Sequence, residues 1–342
     1  MSAIQLAEKG ILPDFLIRAG IRRLLRDRLA QEVASDPGAA AKKVNEFVHF
    51  LSTSPIAVET EAANEQHYEV PPGFFEIVLG PRLKYSSCLW GERARTLADA
   101  EEEMLETTAQ RAEIESGQSI LDLGCGWGSF SLWAAERFPG VRITAVSNSS
   151  TQREFILAKA QERGLQGIEV ETRDMNDFSI EKRFDRIVSV EMLEHLRNYG
   201  EFFSRVKQWL APNGKFFVHI FCHRSMPYAF EPVSADDWMA RHFFSGGIMP
   251  SQDLFRHFDR DLEVQAQWEV NGLHYSKTLE AWLRNQDNCP GEILSLFSET
   301  YGRDQAKLWF QRWRIFFMAC SELFRFNGGA EWLVGHYLLG SR

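Results

Sequence analysis

Five consecutive residues, Glu191-Met192-Leu193-Glu194-His195, place two carboxylates and an imidazole directly after an apolar run from Phe184 to Val190. Such a run reads as a buried strand, so the five residues sit at its carboxyl end. Glu191 and Glu194 are spaced to share one face of a helical turn. Glu194 and His195 are adjacent and need not point the same way. Acids at a helix start also serve simply to face its positive end. The chemical reading is base catalysis. An imidazole titrates near neutrality, and carboxylates can hold an ammonium and tune it.

A second group is Asp122, Gly124, Gly126 and Gly128, inside Leu121-Asp122-Leu123-Gly124-Cys125-Gly126-Trp127-Gly128-Ser129. An apolar run precedes it and a helix-like stretch, Phe130 to Phe138, follows. Strand, glycine turn and helix form a mononucleotide-binding unit. The glycines let the backbone turn tightly and approach a ligand with no Cβ between. Two cofactors compete for this turn. NAD expects G-x-G-x-x-G and an acid at the end of the second strand. Here the spacing is Gly124-x-Gly126-x-Gly128, and Ser147 and Asn148 occupy that strand end. Asp122 before the glycines and Asp174 after the third strand favour S-adenosylmethionine. Asp122 would serve its amino-acid end, and Asp174 its adenine amino group. Each Asp alone is commonly a turn or cap residue.

The elements that must position these groups alternate from Ser119 to about Phe221. Strands are expected at Val141 to Val146, Ile168 to Thr172, Phe184 to Val190 and Lys215 to Ile220. Helices are expected at Gln152 to Arg163 and Tyr199 to Leu210. The pattern predicts an α/β fold with a doubly wound, mostly parallel, Rossmann-like sheet, which binds ligands beyond its strands' carboxyl ends. Three segments follow: an N-terminal helical extension over 1–65, the cofactor-binding core over 66–221, and a covering segment over 222–342. The last begins as an aromatic, loop-rich insertion over 222–290. It ends in helices and a strand near Trp332 to Leu338. Its rings (Tyr228, Phe230, Trp238, Phe243, Phe244, then Trp313, Phe316 and Phe317, with Phe221 just before) read either as a cage for a cationic or ring-bearing ligand or as a packed core.

In the N-terminal segment Ile17, Ile21, Leu24, Leu25 and Leu29 recur at helical spacing. Arg18, Arg22 and Arg26 form a row that reads as a solvated face or as a contact for anionic lipid headgroups.

The chain has 342 residues and a net charge of −9, which argues against broad nucleic-acid binding. Its 5 cysteines form no CxxC pair, as expected of reduced thiols in the cytoplasm. No apolar run approaches the ~18 residues of a membrane span. No metal-ligand spacing and no nucleophile elbow is present. His219 and His223 are four apart, but on a strand edge.

Asp122 to Gly128 resembles motif I of class I methyltransferases, and the wider chain resembles the cyclopropane-fatty-acid synthase superfamily. Within it the likeness is to the coclaurine N-methyltransferase branch. It rests on Tyr68-Glu69-Val70-Pro71, Lys84-Tyr85-Ser86-Ser87-Cys88, Val146-Ser147-Asn148-Ser149 and Val190 to His195. It also rests on Glu231-Pro232, Asp236-Asp237-Trp238 and Asn327-Gly328-Gly329-Ala330-Glu331-Trp332. The resemblance implies S-adenosylmethionine as cofactor. Tyr85 and Ser86 would bind its methionine part, and Gly124, Gly126 and Gly128 would form the backbone cradle. Ser147, with Asn148 beside it, and Gln152 would replace the ribose-binding acid. Asp174, Met175 and Asn176 would form the adenine pocket. Glu194 and His195 would be the catalytic pair, with Glu191 as helper, acting on a small-molecule amine. The superfamily's other chemistry alkylates an unsaturated fatty acyl chain with the help of a bound bicarbonate. The matching positions for that anion are Ser87 (in place of a Cys), Glu194, His219 and Tyr275. A homodimer is compatible with the sequence, whereas a peripheral membrane contact is not favoured, the acidic net charge outweighing the arginine row.

Overall fold

The computed structural model describes residues 2–32, 36–58, 70–231 and 237–342. Three helices come first: α1 (Ala3–Glu8), α2 (Asp14–Glu32) and α3 (Pro37–Thr53). Ser2 starts α1 with a capping box, and Asp36 caps α3 ahead of a proline in its first turn. Then come α4 (Pro72–Val78) and α5 (Leu97–Arg111), the latter opened by a Thr96/Asp99 capping box. The alternating core is β1 (Ser119–Leu123), α6 (Ser129–Arg137), β2 (Arg142–Ser147), α7 (Ser150–Glu162), β3 (Ile168–Thr172), β4 (Phe184–Val190), α8 (Tyr199–Trp209) and β5 (Leu210–His223). After it follow β6 (Tyr228–Ala229), α9 (Trp238–His242), β7 (Ile248–Met249), β8 (Leu262–Val270), α10 (Gly272–Asn288), α11 (Pro290–Tyr301), α12 (Arg303–Arg325) and β9 (Trp332–Ser341).

Seven strands form one sheet in the order β3-β2-β1-β4-β5-β9-β8. The first five run parallel, and β9 is antiparallel to both β5 and β8. From β1 the chain winds outward to β3, then returns to lay β4 against β1's other edge. That reversal opens a crevice at the carboxyl ends of β1 and β4, where both sequence groups lie. β1 is covered on both faces, with Ile120, Leu121 and Leu123 fully buried.

The segment 222–290 is more regular than expected. It holds β8, which joins the main sheet, and α10. β8 reads Leu262-Glu263-Val264 to Trp268-Glu269-Val270, a period-two alternation that suits an edge strand with one wet face. β5 also begins five residues before the expected Lys215, because Phe184 of β4 pairs with Leu210 across a register shift.

The arginine row of α2 is neither a solvated face nor a lipid contact along its whole length. Arg18 donates to both carboxylate oxygens of Glu280 at 2.6 and 3.0 Å and to Glu322 at 3.1 Å. Arg22 donates to the other oxygen of Glu322 at 3.0 Å. Glu322 is 1% exposed, so the row pins α2 onto α10 and α12; Arg26 stays exposed. Glu322→Ala would strip Arg22 of its carboxylate and leave Arg18 with Glu280 alone. Its unfolding free energy should fall by roughly 2 kcal/mol, less than for a fully buried pair because Arg22 keeps half its access to water. Urea unfolding measures this, and an unchanged midpoint would contradict the pinning.

Candidate active site

The crevice holds a cavity of about 580 Å³. α2, α10 and α12 close it over the strand ends. One wall is the glycine turn, where Gly124, Gly126 and Gly128 have φ of +77°, +53° and +79°. A Cβ on Gly124 would come 2.5 Å from Met192 Cγ, and one on Gly128 2.7 Å from Ile156 Cγ1. These two glycines let the turn pack. A Cβ on Gly126 meets no described protein atom within 4 Å. That position faces the open cavity, a cradle that a side chain would fill.

Asp122, 2% exposed, sits under the turn and accepts from Ser131 Oγ at 2.6 Å. Burial pushes its carboxyl up to about 6. Gln152 lines the cavity and is held from behind by Ser147 Oγ at 2.7 Å. Tyr85 and Ser86 line it as well. Gly128, Ser147, Asn148, Asp174, Met175, Asn176 and His219 are not among its lining residues. Asp174 accepts the N–H of Asn176 at 2.7 Å, and Asn176 exchanges two hydrogen bonds with the Ala57 backbone. The third strand's end is therefore tied to the segment after α3. Tyr68, Glu69 and the stretch Pro232 to Asp236 lie outside the described residues.

The Lys84-Tyr85-Ser86 segment is fixed by a group to which the sequence assigns no role. Glu101 of α5 accepts the backbone N–H of Arg82 at 2.8 Å and of Lys84 at 3.2 Å. Burial still pushes its carboxyl up to about 7. Lys84, 3% exposed, donates its ammonium to Ser86 Oγ and to the Ser87 carbonyl.

Glu191 is the hub of the cavity wall at the end of β4. Its φ of +48° breaks the strand, so it does not share a helical face with Glu194 as expected. Glu194 and His195 belong to the short 3-10 turn Leu193–His195 that follows. Three donors converge on the Glu191 carboxylate. The Ser87 N–H lies 3.0 Å and His219 Nε2 3.2 Å from Oε1, and the Tyr275 hydroxyl lies 2.5 Å from Oε2. Burial raises its pKa, while the Lys84 charge and the hydrogen bonds from Ser87 and Tyr275 pull it back.

Glu194 is 1% exposed, lines the cavity, and its Oε2 has no partner among the described residues. Burial, reinforced by the Glu191 charge, pushes its carboxyl far above the usual range. Two neighbouring buried carboxyls thus oppose each other's ionisation, and Glu191, with three donors on it, is the better placed to hold a negative charge. His195 faces the same cavity, its ring 4.8 Å from that of Phe244.

The aromatic residues split between the two expected roles. Phe243, Trp313 and Phe317 are fully buried, and Phe243 stacks on Phe316 at 4.4 Å. Phe221, Tyr228, Phe230, Trp238, Phe244 and Phe316 line the cavity. Three of the four bicarbonate positions are already engaged, Glu194 being the exception. Ser87 Oγ donates to the Cys88 carbonyl at 3.3 Å, while His219 and Tyr275 both hold Glu191.

A family model described as mycolic acid cyclopropane synthetase matches residues 57–330 of this chain. The chain belongs to the cyclopropane-synthetase family. Among its relatives is the (S)-coclaurine N-methyltransferase of Thalictrum flavum subsp. glaucum, 36% identical over 335 residues that cover 97% of this chain and 93% of the relative. The cyclopropane-fatty-acyl-phospholipid synthase of Escherichia coli (strain K12) is 28% identical over 277 residues, covering 79% of this chain and 66% of that one. The crystal structure of coclaurine N-methyltransferase bound to N-methylheliamine and SAH superposes with a TM-score of 0.95 at 33% identity, covering 98% of this chain and 97% of that one. This cyclopropane-synthetase family member is an S-adenosylmethionine-dependent methyltransferase. The open cradle at Gly126, with Asp122, Gln152, Tyr85 and Ser86 around it, fits that cofactor.

Proposed function

We propose that this chain methylates the nitrogen of a small, ring-bearing amine. The observation that carries the reading is the cluster of Glu191, Glu194 and His195 on an aromatic-walled cavity that the glycine turn also lines. A carboxylate backed by ring faces suits an ammonium group. When bound, S-adenosylmethionine supplies a methyl group on a sulfonium sulfur, which leaves with the C–S electron pair as the new C–N bond forms. The chain's residues prepare the other partner. Glu191 holds the ammonium through its negative charge. The unpaired oxygen of Glu194 accepts from the same nitrogen, and His195 takes the proton that must leave before the lone pair is free. The apolar wall keeps out water that would solvate that lone pair.

The N-methyltransferase relatives match almost the whole chain, which supports an amine as acceptor. The engagement of Ser87, His219 and Tyr275 within the protein counts against a bicarbonate site. Five free cysteines, and no helix among the described residues long and apolar enough to cross a membrane, are in keeping with a cytoplasmic setting.

The test is incubation with methyl-labelled S-adenosylmethionine and either a panel of amines that includes (S)-coclaurine or vesicles of unsaturated phospholipid. Label is expected on amine nitrogen and absent from lipid. A methylene-bridged acyl chain, with every amine unlabelled, overturns the reading. His195→Ala should lower kcat by about a hundredfold or more while SAH affinity stays within about twofold. Unchanged kcat would remove His195 from the proton path.

A further inference from the structure

Behind Glu191 runs a line of hydrogen bonds that the reaction itself does not require. Arg111, the last residue of α5, places a guanidinium nitrogen 2.7 Å from His336 Nδ1. His336 Nε2 lies 2.9 Å from His219 Nδ1, and His219 Nε2 lies 3.2 Å from Glu191 Oε1. The two histidines are directly paired across β9 and β5, and neither is exposed.

The direction of this line is fixed by its first member. A guanidinium only donates, so His336 Nδ1 must accept. Burial, with the positive charges of Arg111 and Lys84 nearby, keeps both imidazoles neutral. A neutral imidazole has one donor and one acceptor. His336 therefore donates from Nε2, His219 accepts at Nδ1, and His219 donates from Nε2 to Glu191. No lone pair of His219 faces Glu191, so His219 cannot take a proton from the carboxyl or from a ligand beyond it. The far end is closed, because Arg111 accepts nothing.

The charge of Arg111 is unspent elsewhere. Among the described residues no carboxylate lies within ion-pair distance of it, and its other neighbour is the Trp268 ring, at 5.1 Å. Two polarisable rings thus carry its influence to the one carboxylate at the end of the line.

We infer that Arg111 and His336 are positioning residues, which fix His219 as a donor and so hold Glu191 as an oriented anion for the substrate's ammonium group. This rests on the proposed amine methylation for its last clause only. It also moves His219 out of the set of groups that exchange protons or bind an anion. A basic residue at a helix end that merely packs would leave the histidine protons unaffected, and that is the contrast the experiment reads.

Full-length protein labelled with 15N-histidine and saturated with SAH is examined by NMR. Both His219 and His336 are expected as Nε2–H tautomers. Arg111→Met should shift His336 and His219 towards mixed tautomers, and Arg111→Lys, which restores a donor-only cation, should return the wild-type pattern. His336→Leu should disturb His219, whereas His336→Gln, whose amide can donate to Nδ1, should spare it. In parallel, kcat/KM for (S)-coclaurine or another accepted amine should fall about tenfold or more in Arg111→Met, mostly through KM, and recover in Arg111→Lys. Melting temperature and SAH affinity control for folding. A wild-type His219 protonated at Nδ1, an unchanged spectrum in Arg111→Met, or a folded Arg111→Met enzyme with wild-type kcat/KM overturns the inference. If no amine is methylated but the tautomers respond as stated, the relay stands and the proposed function falls.

Discussion

Glu191→Gln is expected to lower kcat/KM for amine methylation by roughly a thousandfold, or about 4 kcal/mol of transition-state stabilisation. The replacement keeps the side chain's size and removes its charge. It also sets the hydrogen bonds at odds. Three donors meet this side chain, from Ser87 N–H, His219 Nε2 and the Tyr275 hydroxyl. A carboxylate accepts all three; an amide accepts at one atom and donates from the other. Either Ser87 N–H and His219 Nε2 lose their acceptor, or the Tyr275 hydroxyl must turn to accept from the amide and its own proton loses its partner, which should also destabilise the fold by about 1–3 kcal/mol.

The sign of the pH dependence follows from the direction of the shift. Burial pushes the Glu191 carboxyl up to about 6, so the protein disfavours its ionised form relative to an unfolded chain. Folding stability from this group is greatest when it is protonated and declines as pH rises through that value. Ammonium binding runs the other way: it is present above that value and lost as pH falls through it. Profiles of kcat/KM should therefore show an acid limb that is steeper in the wild type than in Glu191→Gln, where only His195 must still lose its proton to act. Glutamine activity within about threefold of wild type would remove Glu191 from the site's chemistry.

Gly126→Val is expected to weaken SAH binding by about a hundredfold or more, near 2.7 kcal/mol, while the protein stays folded. The reason is that position's empty surroundings, since no described protein atom lies within 4 Å of a Cβ placed there. The branched side chain would enter cofactor space instead of the core. The backbone, at φ +53°, charges about 1–2 kcal/mol for a side chain in this left-handed region. Gly124→Val should behave differently, because its Cβ strikes Met192 and the turn itself must move. Calorimetric titration with SAH, beside thermal melts, separates the two. Unchanged affinity in a folded Gly126→Val protein would refute the cradle.

Local pattern carried the glycine turn and the five parallel strands, because short apolar runs between turn residues leave few other ways to bury them. The alternation of Leu262, Val264 and later Val270 with polar neighbours marks β8 too, but the dense aromatics before it resemble an irregular lid. What sequence spacing could not supply was convergence at distance. The arginines of α2 look solvated until Glu280 and Glu322, 262 and 304 positions from Arg18, fold against them. Glu191 looks like a helper to Glu194 in a helical turn, and becomes the hub only because its backbone turns left-handed at the strand end. Arg111 and His336 belong to no motif. The register of β9 on β5 alone puts His336 opposite His219.

The placement of β9 sets an order of assembly. It lies between β5 and β8 and runs against both, so β5 keeps an unpaired edge while everything from β6 to α12 is being synthesised. An open edge on a long apolar strand invites pairing with other chains. The strand that ends that exposure also brings His336. Quenching of the sticky edge and maturation of the carboxylate hub are therefore one event, and nascent chains that stop short of β9 should be both aggregation-prone and inactive.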